Sequence, residues 1–186
     1  MNKLVFNNTV LALLKTTPGL GSVQINKGLI MIDAFHHAHF KKTLTEITYI
    51  KHWFGPVPDF AAKDELFRME FEKIKVVKER IGRVKKHAHY AIQEPDYSSF
   101  SPKAIEIIQD VAFFITGKKA GKLSHITHDA VYENTPMGGI IPIESVYNFE
   151  ADTLPWTSEE KADATKILEE VSDDATIDLS RFYAQV

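Results

Sequence analysis

The residues best suited to chemistry in this chain are its eight histidines. His36, His37 and His39 share one apolar segment, His87 and His89 a second, and His125 and His128 a third. On a helix, positions i and i+3 share a face, so His36/His39 and His125/His128 could each offer a metal ion two ligands. Zinc needs three or four convergent ligands, and no HExxH or comparable pattern supplies them. The expectation is ordinary surface and core histidines and no metal site. Nucleophilic chemistry fares no better. There is no cysteine, which excludes thiol catalysis, thiolate metal sites and disulfides, and no serine stands in a GxSxG elbow. Gly117-Lys118-Lys119-Ala120-Gly121-Lys122 contains a lysine but lacks the spacing and the following Ser/Thr of a phosphate-binding loop. It reads as a helix C-terminal turn with lysines near the negative end of the dipole. With no catalytic set and no cofactor loop, the chain is expected to bind and not to catalyse.

Charge narrows the choice of partner. The 186 residues carry a net −3, unevenly distributed. Residues 151–186 hold nine Asp/Glu against three Lys/Arg. Between Lys73 and His89 the bias reverses, with seven basic residues (Lys73, Lys75, Lys78, Arg80, Arg83, Lys85, Lys86) and one acid, Glu79. A stripe of that kind attracts nucleic acid or an acidic protein surface, or is simply a solvated face. No aromatic interleaves it, which argues against nucleic acid. No segment approaches the roughly 20 apolar residues of a membrane span, and the short N-terminal apolar run is broken by Asn7, Asn8 and Thr9 with no cleavage site after it. A cytoplasmic protein is expected.

The elements that must position any site are mostly helices. Phe6, Val10, Leu13 and Leu14 recur at helical spacing before Thr17-Pro18-Gly19 stops them. Asn26 is the expected cap of a second helix, Lys27 to about Lys42, whose apolar residues lie nearly all round, as a core helix requires. A strand is expected over Glu46–Phe54, a third helix capped by Asp59, and a hairpin over Lys75–Lys86 turning near Gly82. Ser101-Pro102 opens a fourth helix, ended by Gly117. A short helix from Leu123 to about Tyr132 and a loop over 134–149 follow. Thr157-Ser158-Glu159-Glu160 is a capping-box start for a last helix carrying Ala164, Ile167, Leu168 and Val171. The class is mainly α with a small β element: a domain over residues 1–150 and an acidic helical extension over 151–186.

One segment is unusual. Trp53-Phe54-Gly55-Pro56-Val57-Pro58 is a stiff aromatic-proline turn in which Gly55 permits unusual backbone angles and the prolines fix theirs. Turn chemistry leads us to expect Trp53 and Phe54 seated in the core; the alternative is a rigid loop presenting an aromatic to a partner. The chain resembles the Panacea (SocA-like, phage-associated) antitoxin domain in three motifs that keep the family's order. Lys27-Gly28-Leu29-Ile30-Met31 stands at its Lys-Leu-Leu-Tyr-type helix, with Gly28 and Met31 as departures. Phe54-Gly55-Pro56-Val57-Pro58 stands at its Gly-Pro-Val-Pro turn, and Leu123-Ser124-His125-Ile126-Thr127-His128 at its Leu-Ser-x-x-(Ser/Thr)-His helix. The likeness spans roughly residues 1–135.

The resemblance implies an antitoxin that silences a cognate toxin, encoded by an adjacent gene and often a translation inhibitor, by direct binding. It also allows an adaptor that delivers the toxin to an AAA+ protease. The candidate family-motif residues are Lys27, Leu29, Leu123, Ser124 and His128. The candidate partner contacts are residues 53–58 together with Trp156, Ile167, Leu168 and Val171. The apolar stripe of the last helix must be buried either on its own domain or on the partner.

Overall fold

The computed structural model describes residues 1–81 and 84–143. The expected hairpin turn at Gly82, the domain boundary at residue 150 and the C-terminal helix with Trp156, Ile167, Leu168 and Val171 lie outside the described residues. What is described is mainly α with small antiparallel sheets.

Helix α1 (Lys3–Thr16) starts at Asn2, whose side chain accepts from Val5 N, and buries Phe6, Val10, Leu13 and Leu14 as its periodicity predicts. Helix α2 (Ser22–Phe40) is the centre of the fold, packed against α1, α4 (Pro102–Ile115) and α5 (Ala120–Ile126). It begins a turn earlier than the expected Asn26 cap. The Gln24 side chain accepts from Gly21 N at 2.9 Å, so a glutamine at N3 satisfies the cap residue's own amide even where the cap is glycine. Gly28, a departure from the family motif, is where α2 crosses α1: a Cβ there would lie 2.8 Å from Leu13 Cδ2. In α4 the Ser101 side chain caps Ala104 N at 3.1 Å and Pro102 stands at the first position, as expected.

The strand expected over Glu46–Phe54 contracts to β1 (Tyr49–Ile50), the middle of a three-stranded sheet between β2 (Val57–Pro58) and β5 (Ile140–Ile141). Pro58 sits on an outer strand, where its missing N–H costs no ladder bond. The segment expected to be all loop after residue 134 thus supplies the third strand. The β1 strand is tied to α2 through buried Asp33, whose carboxylate accepts from Leu44 N and Thr45 N, each at 2.8 Å, from the Thr45 hydroxyl, and from Tyr49 OH at 2.8 Å. Burial raises the Asp33 carboxyl above its usual range, against the pull of these four donors.

Helix α3 (Phe60–Glu72), capped by Asp59, leads into the hairpin β3 (Ile74–Ile81) and β4 (Val84–Ala91), longer at both ends than its expected span. The expected Leu123–Tyr132 helix is two, α5 and α6 (Ala130–Asn134), because Asp129 turns its side chain to cap Tyr132 N at 2.8 Å. Among the described residues no helix is long and apolar enough to cross a membrane.

Candidate functional site

The aromatic-proline turn is held from beneath by three elements at once. Alternate carbonyls of the segment 52–56 each accept a hydrogen bond from a side chain far away in sequence. Tyr132 OH of α6 donates to His52 O at 2.7 Å, Ser124 Oγ of α5 to Phe54 O at 2.9 Å, and Lys27 Nζ of α2 to Pro56 O at 3.0 Å. Gly55 N closes the turn onto His52 O at 2.9 Å. Each such bond contributes about 0.5–1.5 kcal/mol net, and the set converts a short loop into a fixed platform.

Gly55 explains why the turn needs its glycine. Its φ is +94°, a region that L side chains avoid. A Cβ built there would stand 2.2 Å from Lys27 Nζ, 2.9 Å from Thr127 Oγ1 and 3.0 Å from His128 Nε2. The lysine amine occupies the space that any other residue would fill. Lys27 is only 1% exposed, and burial lowers its pKa to about 7. His128 stacks on the Tyr132 ring at 4.0 Å with an interplanar angle of 15°. Its Nε2 is buried without a hydrogen-bond partner among the described residues. Burial, and then the charge of Lys27, lower its pKa. Lys51 Nζ lies over the Tyr132 ring at 4.5 Å, so Tyr132 contacts both a lysine and an imidazole.

The candidate residues divide cleanly. Leu29 and Leu123 are fully buried and seat α2 and α5. Gly55, Pro56, Val57 and Pro58 are buried. Trp53 and Phe54 are 73% and 65% exposed, which corrects the expectation that the turn seats them in the core. The reason is that the donors of α2, α5 and α6 reach the backbone of the turn from the protein side, leaving its two aromatic side chains no direction but outward. Beside them Val23, Asn26, Lys27, His52, Phe54, Val57 and Lys63 line a cleft of about 230 Å³.

Residues 25–133 match the family described as the SocA-like antitoxin, Panacea domain, and this stretch holds all three motifs and every side chain that grips the turn. The chain belongs to the SocA-like antitoxin Panacea family. No curated protein and no solved structure matches it. The Panacea motifs are therefore legible as one device: the first provides the amine under the turn, the second the turn, and the third the hydroxyl that fixes Phe54 O.

Residue types alone did not single out Tyr132 or the cleft residues Val23, Asn26 and Lys63. Tyr132 stands four residues after His128, a spacing at which rings can stack. Two other histidines serve local structure: His36 Nδ1 meets Lys42 O at 2.7 Å, and His89 bridges Leu20 O at 2.9 Å and Glu70 Oε1 at 3.1 Å. The basic stripe falls on the hairpin. Its pairing puts Lys78 opposite His87 and Arg80 opposite Lys85 on one exposed face.

Proposed function

We propose that this Panacea protein is an antitoxin that neutralises a cognate toxin by direct contact, with Trp53 and Phe54 as its anchors and no chemistry of its own. One observation carries the reading: two large aromatics stand in solvent on backbone immobilised by Tyr132, Ser124 and Lys27. Exposed aromatics beside a cleft are the residue types that dominate binding energy, and a platform already rigid loses little further entropy when a partner docks. The finer parts of the reading, a toxin encoded by the neighbouring gene and acting on translation, follow the family resemblance.

The test is co-expression with the product of the adjacent reading frame, scored for growth and by pull-down. Trp53→Ala combined with Phe54→Ala should abolish both rescue and complex while leaving the melting temperature within about 2 °C, because largely exposed side chains contribute little to the fold. Rescue by wild type without a detectable complex would overturn the binder reading.

The cationic hairpin face of Lys78, Arg80 and Lys85 favours a second reading, a nucleic-acid-binding regulator. A duplex-DNA titration showing affinity that falls steeply with salt would support it.

A further inference from the structure

Helix α3 is apolar on two opposite sides. Ala62, Leu66 and Met69, with Glu65, face the protein and are buried. At about 100° per residue, Phe60, Phe67 and Phe71 fall within an arc of about 40° on the far side. They are 76%, 61% and 74% exposed, and Phe67 and Phe71 pack edge to face with ring centroids 5.0 Å apart. A solvent-facing row of three phenylalanines is a partner surface.

Its charged borders identify the occupant. Asp64 and Arg68, both exposed, flank the row on one side; Lys63 and Glu70 flank it on the other. A second α3 running antiparallel about a two-fold axis near residue 66 brings Asp64 level with Arg68 of the second copy, and Lys63 within one residue of Glu70 of the second copy. The same register sets Phe60 against Phe71 of the second copy and Phe67 against its own equivalent. A parallel two-fold would instead set Asp64 beside Lys63 and Arg68 two residues from Glu70 of the second copy, and Glu70 is already engaged by His89 Nε2 at 3.1 Å. We propose that the chain self-associates as an antiparallel two-fold dimer through the Phe60–Phe67–Phe71 face of α3, closed by reciprocal Asp64–Arg68 pairs. The surface is self-complementary, as an isologous contact must be. Three phenylalanines of about 200 Å² each, more than half exposed, supply roughly 400 Å² per copy. The total of about 800 Å² is below that of a stable dimer, so the association is weak and transient and is sought at micromolar concentrations and above.

Sedimentation velocity on the full chain, from about 2 to 200 μM, tests this. Wild type should pass from monomer to dimer mass. Phe67→Ser, at an exposed position, should remain monomeric with an unchanged thermal melt. Asp64→Arg and Arg68→Asp should each weaken self-association about tenfold or more, because each opposes like charges across the axis. Mixing these two single variants should restore dimers, since every pair then becomes attractive. Monomer at every concentration, single variants that dimerise as tightly as wild type, or a mixture that stays monomeric would each overturn the proposal. Toxin neutralisation is scored separately, so failure here leaves the Trp53–Phe54 contact standing or falling on its own assay.

Discussion

Replacing Gly55 by alanine sets the lysine amine and the turn in competition for one position. Two costs follow from the geometry. The backbone at φ +94° forces an L residue into a region that costs about 1–3 kcal/mol. The new Cβ would also stand 2.2 Å from Lys27 Nζ, so the amine must withdraw and release Pro56 O, a buried acceptor whose lost bond costs about 1–3 kcal/mol. The sum, roughly 2–6 kcal/mol, lowers the melting temperature by roughly 5–20 °C at about 2–4 °C per kcal/mol for a chain of this size. The two costs separate in a double-mutant cycle with Lys27→Met. Methionine is one atom shorter and vacates the Nζ position, so Gly55→Ala in that background should carry only the backbone cost and the milder contacts with Thr127 Oγ1 and His128 Nε2. Chemical denaturation of the four proteins should give a coupling of about 1–3 kcal/mol, with the pair less damaging than the sum of the singles. If Gly55→Ala costs the same in both backgrounds to within about 0.5 kcal/mol, the amine and the glycine do not share that space and the account of the turn is wrong.

Lys27 also makes stability depend on pH. Its pKa of about 7 in the folded state lies below the ordinary lysine value of 10.5, so the unfolded chain binds the extra proton between those limits and stability rises with pH across that window. Unfolding free energies from chemical denaturation should climb from pH 7 to pH 9 in wild type, by up to about 1.4 kcal/mol per pH unit, and stay flat in Lys27→Met. That range stops short of the tyrosine ionisations, with Tyr90 raised to about 12. Ser124→Ala removes the donor to Phe54 O and should cost about 0.5–1.5 kcal/mol while weakening toxin capture more than that loss of stability explains. Asp33→Ala leaves four donors around a buried cavity without their acceptor and should cost about 3–5 kcal/mol by thermal melt.

Where a feature depends on the chain within a few residues, it was legible in the sequence. Ser101-Pro102 opens α4 because a hydroxyl and a ring suit the first turn of a helix whatever surrounds it, and Asp59 caps α3 for the same reason. Gly55 could be assigned unusual angles from its neighbours Pro56 and Pro58. The near-uniform apolarity of α2 announced a central helix before any partner was known.

Other features were decided by residues about 25 to 80 positions away. Periodicity marks Trp53, Phe54, Phe67 and Phe71 as apolar but cannot say which of them receives a cover. Tyr132, Ser124 and Lys27 approach the turn from the protein side through its carbonyls, so the adjoining aromatics turn outward. Backbone acceptors carry no residue identity, and contacts made to them leave no mark in a sequence pattern. The Asp129 cap likewise divides α5 from α6 and sets Tyr132 where its hydroxyl reaches His52 O. The sequence by itself determined which segments coil and which residue must be glycine, since those are local steric facts. Only the tertiary structure decided that a lysine amine fills the glycine's empty side and that the aromatics beside it face solvent, because those outcomes depend on which distant donors arrive at the turn.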